Sequence, residues 1–251
     1  MSTQRIRMIA GPNGSGKSAI LDLLRAREIP LGMYLNADDL ERDLKNCGRH
    51  VFFDCPDLAN WNTPWLRWLS NAPRPNVSAD TIDYLRSVTW SNNAVSGVGV
   101  PPDSYGPSMI VEFGREQCLF GCHSCTFETV MSHPTKVEFL ELAKTLGGRV
   151  YLYFVATEDP EINISRVAHR AAIGGHNVWP DKIVQRYHRS IRLLGAAIEA
   201  SHRAYLFDNS THQPSFVAEA CNGVIEARTT PTPFWTDALQ FSDSSPDDEA
   251  D

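Results

Sequence analysis

Apolar residues along this chain fall into two alternating rhythms. Short runs at Arg5–Ala10 (RIRMIA), Met33–Asn36 (MYLN), Cys125–Thr129 (CTFET), Arg149–Ala156 (RVYLYFVA) and Ala204–Phe207 (AYLF) read as strands, the last of them closing the sheet. Between these runs the apolar positions recur at helical spacing. Ser18–Ala26 predicts a helix with Ile20, Leu21 and Leu24 inward, and a second helix runs from Ala37 to about Asn46. Pro134–Leu146 predicts another, with Phe139, Leu142, Ala143 and Leu146 toward the core. Asp159 can accept free N–H groups and Pro160 fits a first turn, so a helix starts there and reaches Ala171. Pro180-Asp181 opens a long helix to about Glu199, striped by Ile183, Tyr187, Ile191, Leu194 and Ile198. Strands separated by helices imply right-handed crossovers and an α/β fold, a parallel sheet that takes ligands at its carboxyl edge.

The rhythm breaks between about 47 and 117. Trp61, Trp65, Trp68 and Trp90 sit there among prolines, glycines and asparagines, with helical pattern only at Asp57–Ser70 and Ser78–Ser87. Ser91–Gly106 reads as a long loop. This stretch is expected to be an insertion folded over one end of the sheet, within a domain spanning 1–228. Residues 229–251 are expected to form an acidic, disordered tail, since Ser242–Asp251 carries five of the chain's 30 acidic residues and no apolar anchor except Ala250. The formal charge of −7 argues against nucleic acid as an obligatory partner. No apolar run approaches the ~18 residues of a membrane span, and no signal-peptide core precedes the first strand, so a cytoplasmic protein is expected.

One octet carries specific chemistry. Gly11-Pro12-Asn13-Gly14-Ser15-Gly16-Lys17-Ser18 spells G-x-x-x-x-G-K-[ST], placed between a strand and a helix as a phosphate-cradling P-loop requires. Its glycines let backbone N–H groups wrap an anion, and the new helix adds its partial positive end. Lys17 supplies a mobile charge for the β- and γ-phosphates, and Ser18 a hydroxyl for Mg²⁺. The expected cofactors are ATP or GTP with Mg²⁺. The chain has no NKxD tetrad of a GTPase and no LSGGQ-type signature of a transporter ATPase.

Phosphoryl transfer also needs a base and cations near the transferred charge. Asp38, just past the second strand, fits either a base or, like Asp39, a helix N-cap. Glu128 ends a buried strand, where a carboxylate is costly without a task or a partner, and Thr129 follows it. Arg166 and Arg170 share one helix face, and Arg186 and Arg189 share another. Gly174-Gly175-His176-Asn177 lies between them, giving the outline of an arginine-bearing lid with His176 as a phosphate or substrate contact. A solvated surface helix is the alternative reading of these arginines. Cys118, Cys122 and Cys125 form C-x3-C-x2-C, open to a cluster, to zinc with His123 or Cys55, or to reduced thiols.

Taken in order, AGPNGSGKS, NADD, FETVMSH, YLYFVATEDPEINISRV, GGH, DKIVQRYHRS and FDNS resemble the zeta toxin family of P-loop kinases, in the branch labelled predicted ABC-type ATPases. The resemblance covers about 5–45 and 123–210. It implies an adenylate-kinase-like P-loop fold, which here carries a Trp/Pro/Cys-rich insertion, and phosphorylation of the 3′-hydroxyl of the aminosugar in UDP-N-acetylglucosamine. An antitoxin protein is the implied partner. By the same resemblance Lys17 is the phosphate lysine, Ser18 the metal-side hydroxyl, Asp38 the catalytic base, Glu128 a substrate carboxylate and Arg170 a lid arginine, with Arg166 and His176 beside it. Two features depart from the pattern: Trp179 stands where the branch has proline after GGH-x-V, and the insertion separates Asp38 from Glu128. The insertion leaves room for another acceptor, such as a nucleoside, an RNA end or a protein side chain. It also leaves room for a nucleotide-gated module that docks a partner through its tryptophans.

Overall fold

The apolar runs become strands and the amphipathic stretches become helices in a computed structural model that describes residues 3–71, 77–173, 178–211 and 213–239. The chain begins with β1 (Arg5–Ala10), α1 (Lys17–Ala26), β2 (Met33–Leu35), α2 (Ala37–Cys47) and β3 (Arg49–Val51). A 3-10 turn (Leu58–Trp61) precedes α3 (Asn62–Asn71), α4 (Ala79–Arg86), β4 (Thr89–Ser91), β5 (Ala94–Ser96) and α5 (Tyr105–Phe120). Alternation then resumes with β6 (Cys125–Thr129), α6 (Thr135–Thr145), β7 (Arg149–Ala156), α7 (Pro160–Ala172), α8 (Pro180–Arg192) and α9 (Leu194–Glu199). The described chain ends with β8 (Arg203–Asp208), β9 (Ser215–Cys221), β10 (Val224–Ala227) and α10 (Pro233–Leu239). The result is an α/β fold with a central, mostly parallel sheet flanked by helices. The chain divides into two compact units, the first made of Met1–Ile9, Leu21–Thr129 and Ala143–Val150, the second of Ala10–Ile20, Val130–Leu142 and Tyr151–Asp251.

In the first unit the strands run in the order β1-β6-β2, and β2 pairs parallel to β6 with Leu35 opposite Phe127. A separate antiparallel sheet, β3-β5-β4, lies in the stretch read as an insertion. The long loop expected at Ser91–Gly106 is therefore corrected: it contains β5 and leads directly into α5. The expected boundary at 117 falls inside α5, which packs against β2 and β6. Gly114 is what allows that approach, because a Cβ there would press on Leu35 at 3.2 Å.

The tryptophans hold this segment together. Trp65, Trp90 and Phe113 are buried, with ring centroids 5.1 to 6.1 Å apart, and Trp61 and Trp68 pack around them. The indole N–H of Trp65 donates to the Leu85 carbonyl at 3.1 Å, so burial leaves its polar atom satisfied. Trp65→Ala is expected to cost about 3 to 5 kcal/mol, since it opens a large cavity among rings that cannot collapse into it. Thermal unfolding followed by tryptophan fluorescence measures this. A melting temperature within a degree or two of wild type would show that the cluster is not a core.

In the second unit the strands run β7-β8-β9-β10. β7 and β8 are parallel from Tyr151↔Arg203 to Ala156↔Asp208, whereas β9 and β10 add on antiparallel. Ala204–Phe207 is thus not the closing strand. Asn222 and Gly223, both with positive φ (49° and 88°), turn β9 into β10. The long helix expected to reach Glu199 divides at Leu193 into α8 and α9, and Ile191 is only partly covered. Within 229–239 the expected tail is also corrected. Pro233–Leu239 is helical and Trp235 is fully buried, its indole N–H donating to Asp208 Oδ2 at 2.7 Å. The rest of that tail lies outside the described residues. On α6, Phe139 and Ala143 are buried as expected, but Leu142 and Leu146 are exposed; Val137 and Leu140 fill the core instead.

Candidate functional site

The octet of the second unit is held by three side chains that sequence reasoning passed over or read differently. Asn163, buried on α7, donates through Nδ2 to the Asn13 carbonyl at 2.6 Å, and its Oδ1 accepts from the Thr157 hydroxyl. Asn209, just past β8, donates through Nδ2 to the Ser15 carbonyl at 2.8 Å. Two amides therefore grip the outer face of the loop, turning its carbonyls away and leaving N–H groups for an anion. The third is Arg166. Expected to meet phosphate, it donates to the carbonyls of Asn209 (2.7 Å) and Thr211 (2.8 Å) and so anchors the loop that carries Asn209. The signal for Asn163 was a polar residue on the stripe otherwise formed by Val167; that for Asn209 was its place in FDNS, at the end of a strand.

Close packing explains the glycines. Gly11 (φ 150°) and Gly16 (φ 97°) occupy backbone regions that L side chains rarely adopt. A Cβ at Gly11 would fall on the Val155 carbonyl oxygen, and one at Gly16 on the Asn209 amide nitrogen. Lys17 opens α1, and its ammonium donates to the carbonyls of Gly11 (3.0 Å) and Pro12 (3.1 Å), which keeps it folded over the loop. Ser18 is exposed in the first turn of α1 and Ser15 is buried. Backbone N–H groups, an ammonium and a helix N-terminus make a donor set that suits a polyphosphate, and the Ser18 hydroxyl is an oxygen of the kind a magnesium ion takes. Arg170 lies one turn after Arg166 on α7 and is exposed. His176 and its flanking glycines lie outside the described residues.

In the first unit β2 and β6 end side by side and deliver a second cluster. Asn36, not Asp38 or Asp39, caps α2: its Oδ1 accepts from the backbone N–H of Asp38 (2.8 Å) and of Asp39 (3.3 Å). Asp39 pairs with Arg42 at 2.8 Å. The Asp38 carboxylate is exposed, and among the described residues no hydrogen bond or ion pair engages it. Glu128 is half-buried at the end of β6, where Oε1 accepts from the Tyr34 hydroxyl at 2.5 Å. Asn36 Nδ2 in turn donates to the Tyr34 oxygen at 3.0 Å. Thr129, next to Glu128, closes β6 and is partly covered.

The cysteine triplet does not converge. Cys118 and Cys125 are buried, Cys122 is exposed, and among the described residues no group of three His, Cys, Asp or Glu side chains is placed to hold a metal. Cys118 lies 3.6 Å from the Met33 sulfur, and a hydrogen bond with Cys125, followed by burial, holds its thiol well above the usual range.

A strand, a glycine cradle closed by two amides, and a helix opening on its lysine define a P-loop. Comparison with known proteins narrows this. The chain is similar to a chain of the AvrRxo1-ORF1:-ORF2 complex, with 14% identity and a TM-score of 0.57 over 96% of this chain and 66% of that one. A crystal structure of AvrRxo1-ORF1:-ORF2 with ATP gives 13% identity and a TM-score of 0.52 over 90% and 61%. A chain from the PezAT chromosomal toxin-antitoxin system of Streptococcus pneumoniae gives 15% identity and a TM-score of 0.52 over 95% and 78%. The chain therefore spans less than two thirds of the AvrRxo1 chains it matches. No protein-family model and no curated protein matches it. At these identities the likeness is one of fold alone.

Proposed function

We propose that this chain is an ATP- and Mg²⁺-dependent phosphotransferase that acts on an alcohol. The observation that carries this reading is the capping of α2 by Asn36, which removes the structural explanation of Asp38 and leaves its carboxylate exposed at a helix N-terminus. Asp38 takes the proton of the acceptor hydroxyl as its oxygen bonds to the γ-phosphorus, and the bond from that phosphorus to the β–γ bridging oxygen breaks. Lys17 and Arg170 receive the charge that grows on the phosphates and the departing ADP. Ser18 would hold a magnesium ion, which when bound would supply Lewis-acid neutralisation of phosphate charge. Arg166, already committed to two carbonyls, keeps the Asn209 loop pressed on the cradle.

For the acceptor we take a nucleotide sugar, with UDP-N-acetylglucosamine as the first compound to test and Glu128, Thr129 and His176 as its contacts. The zeta-toxin likeness of the sequence supports this choice. A protein partner of the antitoxin kind belongs to the same reading, since the similar chains come from a two-protein complex and a toxin-antitoxin system. Among the described residues no helix is long and apolar enough to cross a membrane. A cytoplasmic place of action is part of the proposal. In the rival reading, a nucleotide-gated module whose tryptophan-rich insertion docks a partner, the docking surface is not Trp61, Trp65 or Trp90, which are buried in the insertion's own core.

The test is incubation of the protein with ATP, Mg²⁺ and UDP-N-acetylglucosamine, followed by mass spectrometry. ADP and a singly phosphorylated sugar nucleotide are expected with wild type and not with Asp38→Ala. Transfer no greater than that of the variant would reject this acceptor.

A further inference from the structure

Two polar side chains of the first unit, Tyr34 and Asn36, belong neither to the P-loop motif nor to the proposed carboxylates Asp38 and Glu128, yet they join the two elements that carry those carboxylates. We propose that Tyr34 is a positioning residue for Glu128, and that Asn36 and Tyr34 form a relay locking the acceptor-binding carboxylate to the helix end that carries Asp38. The proposal rests on the kinase reading above and adds to it the means by which its acceptor side is held in register.

The geometry is continuous. Asn36 Oδ1 accepts from the Asp38 and Asp39 N–H groups, Asn36 Nδ2 donates to the Tyr34 hydroxyl oxygen at 3.0 Å, and that hydroxyl donates to Glu128 Oε1 at 2.5 Å. The parallel pairing of β2 with β6 makes this possible, because Leu35 opposite Phe127 brings Asn36 level with Glu128. The other contacts of Tyr34 fix its ring. The Arg25 guanidinium lies over it, 5.4 Å from the centroid. Burial first, and then the Glu128 charge, raise the phenol far above its ordinary range, so Tyr34 remains an O–H donor wherever the protein is folded.

The chemistry follows from which atoms are spent. The amide of Asn36 is used at both ends: its oxygen caps α2 and its N–H fixes the Tyr34 oxygen. Tyr34 has one proton to give, and the Asn36 donor occupies a lone pair, so the hydroxyl is turned toward Glu128 alone. Glu128 then has Oε1 committed and Oε2 left to accept, which selects an acceptor that offers a hydroxyl or amide N–H at that place. A phenol–carboxylate bond of this length is charge-assisted and directional, and it fixes the plane of the carboxylate. Without it, Glu128 can rotate about its terminal torsion, and the acceptor loses its alignment rather than its phosphate donor.

Tyr34→Phe keeps the ring and removes only the hydroxyl. With ATP and UDP-N-acetylglucosamine, it is expected to raise KM for the sugar nucleotide about tenfold, the size of one hydrogen bond to a charged group, while KM for ATP stays as in wild type. In a Glu128→Gln background the same substitution is expected to add little, because the partner it orients is already altered. Asn36→Ser gives the second arm: serine still caps α2 but has no amide N–H for Tyr34, so a smaller rise in the same KM is expected with the fold intact. A transferring wild type whose KM for the sugar nucleotide is unchanged by Tyr34→Phe overturns the relay and leaves the kinase reading standing. An equal effect of Tyr34→Phe in the wild-type and Glu128→Gln backgrounds also overturns the relay. No transfer by wild type overturns the kinase reading on this acceptor, and with it the acceptor role given to Tyr34.

Discussion

Asp38→Asn is expected to lower kcat by about 10²- to 10⁴-fold, the range for removing a general base, while ATP binds as to wild type. The amide is nearly isosteric and sits at an exposed helix end, where asparagine is also well tolerated, so the fold is not at risk. The helix does not depend on this side chain either, because Asn36 already accepts from the first free N–H groups of α2. A loss of stability would therefore point to an unsuspected structural role, and a loss of rate at unchanged stability to the chemical one. Steady-state rates at saturating ATP, read beside a thermal melt, separate these. A kcat within threefold of wild type would remove Asp38 from the mechanism.

Gly16→Ala is expected to weaken binding of ATP with Mg²⁺ about a hundredfold. Two effects combine. Alanine at φ 97° carries left-handed backbone strain, and its Cβ would displace the Asn209 amide that holds the Ser15 carbonyl. Because the second effect is steric, Asn209→Ala in the same chain is expected to recover part of the lost affinity, although Asn209→Ala alone weakens binding. Lys17→Met provides a contrast: it removes a charge over the cradle without touching the backbone, and its loss is not recovered by any change at Asn209. Isothermal titration with ATP and Mg²⁺ measures these four variants beside wild type. Equal affinity of wild type and Gly16→Ala would show that the nucleotide does not use this loop.

How much of this was legible in the sequence depended on whether a residue's job is local. The cradle was legible because its conformational demands fall on the glycines themselves, and α7 because Asp159 and Pro160 mark its start within three residues. Asp38 was ambiguous for the same reason, since a cap and a base occupy similar places; the structure gives the cap to Asn36, and the base is our proposal. Residues whose partners lie far along the chain were missed. Asn163 and Asn209 hold loop carbonyls 150 and 194 positions away, and nothing in their own neighbourhoods announces it.

Helix α5 was hidden differently. It is buried on most of its faces, including Gly106, Pro107 and Gly114, so it lacks the one-sided stripe by which helices are recognised, and its glycines read as loop. The β9-β10 hairpin did carry a signal, Asn222-Gly223, that the reading of alternating strands and helices passed over. On α6 the phase was only partly right. Leu142 and Leu146 fit the helical repeat as well as Val137 and Leu140 do, and the surface they would cover is not visible from one helix alone.

The central claim is that a nucleotide's γ-phosphoryl passes to an alcohol whose proton Asp38 removes. Incubating γ-labelled ATP and Mg²⁺ with a small-molecule extract, in the presence of wild type or Asp38→Asn, tests it without assuming the acceptor. The account predicts a labelled phosphate monoester with wild type that is absent with the variant. Label found only as ATP and inorganic phosphate in both would contradict it.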